Sequence, residues 1–179
     1  MEPIRKKILI FHIWGAIFTI LAGSFCHFIY GIGDYFKPLA IIGAVNESTW
    51  EHLKIAFWPT FFFAVVEYFA YGKSQSNFWV AKAKQIYVIP ILIPVFFYGY
   101  TAVIKDNLFS DIFIFVLAII IGYAFSYKIL TWQRNFLKYK TSAIIFIILA
   151  GMAFGLFTFF PPKIFLFLDP VTGLYGIIR

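Results

Sequence analysis

The densest run of chemically capable side chains is Asn46-Glu47-Ser48-Thr49-Trp50-Glu51-His52-Leu53-Lys54. Carboxylates beside an imidazole can exchange protons, orient a water or hold a cation. The spacing also has a plain structural reading. Ser48 and Glu51 stand three apart and predict a capping box, with Ser48 accepting from the Glu51 amide and Glu51 reaching back to the Ser48 amide. Two acids at a helix start also suit its dipole. Glu51 and His52 are adjacent, so on a helix they point about 100° apart. One narrow pocket takes both only with help from other elements.

The other ionisable residues of interest are His27, Asp34, Asp111 and Asp169, with a separate pair, His12 and Glu67. His52 or His27 would serve as general acid or base, with Glu47 or Glu51 as its orienter. His27 and His52 with a carboxylate would also make a metal site, but there is no HxxxH, no HExxH and no Cys/His tract of zinc spacing. Ordinary hydrogen-bonded histidines are therefore expected, with no metal and no cofactor. The chain has no GxSxG nucleophile motif. Its single cysteine, Cys26, has no partner for an intrachain disulfide and sits in an apolar run.

Composition says what must position these groups. Of 179 residues, 62% are hydrophobic and 13% are charged, and 25 are Phe. Soluble domains carry about 25% charged residues, so a soluble enzyme and a disordered chain are both poor fits. Five apolar segments approach the roughly 20 residues a spanning helix needs. They predict an all-α, polytopic bundle of five transmembrane helices over about 8–30, 52–71, 86–104, 112–132 and 141–160, in one domain with a tail at 161–179. The opening Arg5-Lys6-Lys7 and later Ala22-Gly23-Ser24 echo a signal peptide, but the apolar run continues to Tyr30, favouring a retained helix.

Charge sets the orientation. With the N-terminus inside, ten of the 15 Lys and Arg fall on the inner side beside one acid, Glu2. The other five, Arg179 among them, share the outer side with six of the eight acids. This positive-inside bias predicts N-terminus in and C-terminus out, in a bacterial inner or plasma membrane. The net charge of +7 is then explained by topology, and nucleic acid is not an expected partner. The bilayer is.

On this map His27, Asp34, Glu47, Glu51, His52, Asp111 and Asp169 gather on the outer side, where they predict an outward-facing polar cavity for a ligand or ion whose identity stays open. His12 and Glu67 lie at matching depth near the inner side, since their helices run antiparallel. A contact between them is one reading. Glu67 pairing with Lys128 or Arg134, or snorkelling to the interface, is another. Pro161-Pro162 must end the last span. Asp169-Pro170 and Thr172-Gly173 are turn signals, so the tail is a surface turn or a lid over the cavity. Gly151-x-x-x-Gly155 allows close helix approach, within the bundle or in self-association. Pro90 and Pro94 are expected to kink the third span.

Asn46–Lys54, together with Phe157-Thr158-Phe159-Phe160-Pro161-Pro162 and the later Asp169-Pro170-x-Thr172-Gly173-x-Tyr175-Gly176, resembles an uncharacterised family of small bacterial multi-pass membrane proteins. The resemblance implies membrane location and no activity. Three functions fit the residues. A small transporter or channel-like protein with the outer cavity comes first. An accessory or structural subunit of a membrane complex is second. A membrane-embedded enzyme acting on a lipid or apolar substrate at the outer leaflet is third.

Overall fold

The computed structural model describes residues 2–177, so Arg179 lies outside the described residues. Five long helices run in order: α1 (Glu2–Ile32), α2 (Thr49–Ala70), α3 (Phe78–Thr101), α4 (Leu108–Thr131) and α5 (Lys140–Phe159). Each is long and apolar enough to cross a bilayer, and no strand element occurs among the described residues. The protein is an all-helical, five-helix membrane-type bundle. Its lipid-facing surface is built of side chains such as Trp14, Leu21, Phe28 and Met152, all largely exposed. In water that much apolar surface would drive aggregation; in hydrocarbon it costs nothing.

Short connections make successive helices antiparallel. The turns after α2 and α4 share one end with the N-terminus. The other end carries the 33–48 segment, the α3–α4 turn and the tail. The core at mid-height is Ala56, Phe57, Ile89, Ala118, Ile119 and their neighbours, with α3 packing most closely on α4.

Close approach is bought by small residues on α1 and α4. A Cβ on Gly15 would stand 2.5 Å from the Tyr123 ring and 2.6 Å from Phe63. Gly15, Thr19 and Gly23 repeat every four residues and are buried, as are Ala118, Gly122 and Ser126 on α4. Small residues at this period let membrane helices touch backbone to backbone. Gly151 and Gly155 are different: a Cβ there would meet nothing nearer than 3.6 Å. They are not tight points of the bundle.

The expected capping box does not form. Ser48 is the N-cap of α2 but makes no side-chain cap bond. Asn46 Oδ1 accepts from the Ser48 amide (2.8 Å), and Glu51 Oε2 accepts from the amide of Val45 (3.1 Å). Glu51 is drawn away because it forms a buried ion pair with Lys54. Lys54 also donates to the Ala40 carbonyl (2.7 Å) and to Thr158 Oγ1 (2.9 Å), so one lysine ties α2 to the 33–48 segment and to α5.

The tail folds back on this end of the bundle. The Phe167 ring stacks on Trp50 at 4.6 Å, and Asn46 Nδ2 donates to the Gly176 carbonyl (2.7 Å). Asp169 accepts from the amides of Val171 and Thr172 (3.2 Å each), and Gly173 and Gly176 take φ of 70° and 73°. That left-handed conformation favours glycine. α3 runs as one helix through Pro90 and Pro94.

Candidate functional site

At the end opposite the N-terminus the helices open into a cavity of about 250 Å³. Glu47 and Thr49 flank the start of α2, His52 lies in its first turn, Asp111 is in the first turn of α4, and Asp106 comes from the α3–α4 turn. The floor is apolar: Ile93, Phe97, Ile114 and Phe115. Pro170 and Val171 of the tail form part of the wall. Two larger grooves, of about 420 and 670 Å³, are lined almost wholly by apolar and aromatic side chains. The smaller cavity is where the chemistry gathers.

His27, from the last third of α1, meets Glu47 and His52 at its edge. His27 Nε2 is 3.3 Å from His52 Nε2 and 3.4 Å from Glu47 Oε2; His52 Nε2 is 3.7 Å from the same oxygen. His52 Nδ1 is 2.9 Å from the Ser48 carbonyl. A carbonyl only accepts, so Nδ1 carries the hydrogen and Nε2 is the ring atom turned toward His27 and Glu47. The helical (i, i+4) reach that brings His52 over Ser48 thereby sets its tautomer. Hydrogen bonding to His27 holds the Glu47 carboxyl below the ordinary carboxylate range. All three side chains keep partial solvent access. Across the cavity the Tyr100 hydroxyl lies 2.8 Å from Asp106 Oδ1 and 2.5 Å from Asp111 Oδ1, holding two acids side by side.

The outer residues singled out in the sequence thus divide. His27, Glu47, His52 and Asp111 converge. Glu51 is buried against Lys54 and lines no part of the cavity. Asp34 sits exposed in a turn with φ of 50°, and Asp169 is spent on organising the tail turn. Asp106 and Tyr100 belong to the site but carried no sequence signal beyond their position at a predicted span end.

A second polar cluster lies near the N-terminal end. His12 Nδ1 is 3.1 Å from Glu67 Oε1 and 2.9 Å from the Ile8 carbonyl, and His12 Nε2 is 3.1 Å from Ser126 Oγ. Tyr71 donates to Glu67 Oε1 (2.7 Å). The counter-charge to Glu67 is Lys82, not Lys128 or Arg134. Lys82 also donates to Gln85 Oε1 (3.0 Å). Glu67, Lys82, Gln85 and Ser126 are each fully buried. Lys82 resembles a loop cation in sequence, because the apolar run restarts only at Ile86; the helix begins at Phe78 and carries it inside.

The two clusters are separated by 15 residues along both α1 (His12 to His27) and α2 (His52 to Glu67). At 1.5 Å per residue that is about 22 Å. The layer between is the apolar core, crossed by a hydrogen bond of 2.9 Å between Thr19 and Tyr123.

The model of a family of unknown function, DUF6512, matches residues 3–177. No curated protein and no solved structure matches the chain.

Proposed function

The chain belongs to DUF6512, a family of unknown function, and from the geometry of its cavity we propose that it is a membrane-embedded enzyme acting on an amphiphile at the bilayer surface. The observation that carries this reading is His52. Its Nδ1 is fixed on the Ser48 carbonyl, and its Nε2 faces Glu47 in the wall of a cavity. These contacts support a general base: Nδ1 fixes the ring, His27 stands 3.3 Å from Nε2, and the Glu47 carboxylate beside it would stabilise an imidazolium. An attacking water or hydroxyl would lose its proton to His52 Nε2.

The cavity supports the substrate class. Its floor is apolar and its walls carry Glu47, Asp106 and Asp111 without a lysine or arginine lining it. A headgroup rich in hydroxyls, or a cationic one, suits such walls; a bare phosphate is repelled by them. At about 250 Å³ the cavity takes a headgroup and not a whole lipid. The Lys and Arg bias supports this end lying outside the cytoplasm.

The test is lipid turnover by the purified chain in mixed-lipid nanodiscs, read by mass spectrometry. One lipid class should be consumed by the wild type and spared by His52→Ala at equal folded protein. Turnover untouched by His52→Ala, or no turnover across neutral, cationic and anionic headgroups, overturns the reading.

A second reading is a small transporter, favoured by the Glu67–Lys82–His12 cluster, since buried ionisable groups in spans mark ion and proton paths. It would show as a proton or cation flux in vesicles that Glu67→Gln removes. The packed apolar layer between the two clusters favours the enzyme.

A further inference from the structure

The three groups at the cavity edge have a geometry that ordinary hydrogen bonding does not require. His27 Nε2, His52 Nε2 and Glu47 Oε2 form a triangle with edges of 3.3, 3.4 and 3.7 Å. Zn²⁺ binds imidazole nitrogen and carboxylate oxygen at about 2.0–2.2 Å in a tetrahedron. Tetrahedral angles then set the distance between ligand atoms at about 3.3–3.6 Å. The observed triangle matches that spacing on all three edges to within about 0.2 Å.

Three further features agree. A metal-binding histidine donates its other ring N–H to a carbonyl or carboxylate, and His52 Nδ1 does so to Ser48. The three donors come from two helices and the residue before an N-cap, so the backbone fixes them without a local motif. Each side chain is between a quarter and half exposed, which leaves a path for a hydrated ion.

We propose that His27, Glu47 and His52 form a divalent transition-metal site of the zinc type. Two histidines and one carboxylate would fill three positions and leave a fourth for water. Asp106 and Asp111 line the same cavity and share the Tyr100 hydroxyl. An O/N donor set without thiolate fits Zn²⁺ or Co²⁺ better than Cu⁺. The ion would take the same His52 Nε2 lone pair that the enzyme reading uses as a base, so a bound metal replaces that base, and the site stands without that reading.

The test is cobalt titration of the full-length, tag-free chain in detergent. Wild type should take up about one Co²⁺ per chain, with the intense visible bands of a four-coordinate site, and Zn²⁺ should displace them. His27→Ala and His52→Ala should each weaken binding by about 100-fold or more, and Glu47→Gln by about 10–100-fold. Asp34→Asn, in an exposed turn, should leave the titration unchanged. Thermal melts of each variant show that the fold survives. Absence of four-coordinate bands in wild type, or bands that persist in the His27→Ala/His52→Ala double variant, overturns the metal site. His52-dependent lipid turnover in protein that takes up no cobalt sinks this inference and keeps the enzyme. Stoichiometric cobalt without turnover keeps the metal and sinks the enzyme.

Discussion

The Lys82 ammonium and the Glu67 carboxylate meet inside the helix bundle, with both residues fully buried. Each charge is costly alone in such a place, and each is tolerated because the other is there. Tyr71, His12 and Gln85 supply further hydrogen-bond partners to the pair. The pair joins α2 to α3, and His12 extends the link through Ser126 to α1 and α4.

Removing both partners should therefore cost less than the two single removals added together. Lys82→Met or Glu67→Gln alone is expected to cost about 3–5 kcal/mol by leaving a charge or amide uncompensated. The Glu67→Gln/Lys82→Met double variant should lose clearly less than the sum of the two. Unfolding in mixed detergent micelles measures this; strictly additive losses would show that the two side chains do not act as a pair.

Gly15 and Gly151 give opposite outcomes for one substitution. A Cβ at Gly15 enters the Tyr123 and Phe63 rings, whereas one at Gly151 meets only ordinary contacts. Gly15→Ala should destabilise by about 1–3 kcal/mol. Gly151→Ala should be near neutral for the monomer. Cross-linking of the Gly151→Ala variant then reports whether Gly151 and Gly155 serve self-association, separately from folding.

The tail is pinned by the Asn46–Gly176 hydrogen bond and the Phe167–Trp50 stack. Asn46→Ala with Phe167→Ala should release it. Limited proteolysis should then cut within 161–177 several-fold faster while the helices stay protected, because cleavage tracks the population of the opened form. Pro170 and Val171 line the cavity, so the same variant should bind a cavity ligand more weakly. Unchanged cleavage would mean that other contacts hold the tail.

Orientation has a direct test. In a Cys26→Ser background, Thr172→Cys is expected to react with an impermeant thiol reagent on intact cells. Asn135→Cys should react only after permeabilisation, since it lies at the opposite end of the bundle. The reverse pattern would falsify the positive-inside assignment and place the cavity in the cytoplasm.

Much of the architecture was legible in the residues alone. Span number and helical class follow from the length of apolar runs, a local quantity set by the thickness of hydrocarbon to be crossed. Boundaries were less legible: α3 begins eight residues before the apolar run at Ile86, because Lys82, Lys84 and Gln85 interrupt hydropathy without interrupting the helix.

What the tertiary structure decided was which polar groups meet. Glu47, Glu51 and His52 look alike as a dense patch. Glu51 turns inward to Lys54 and His52 faces His27 because helical phase sends adjacent residues to different sides, while Glu47, ahead of the N-cap and free of that phase, also reaches His27. Lys82 reads as a cytoplasmic cation until α2 and α3 pack and its phase aims it at Glu67. His27 and His52 are 25 residues apart and share no metal spacing. Only the antiparallel packing of α1 on α2, made close by Gly15 and Gly23, brings their rings together, and pairings of that kind are written in three dimensions rather than along the chain.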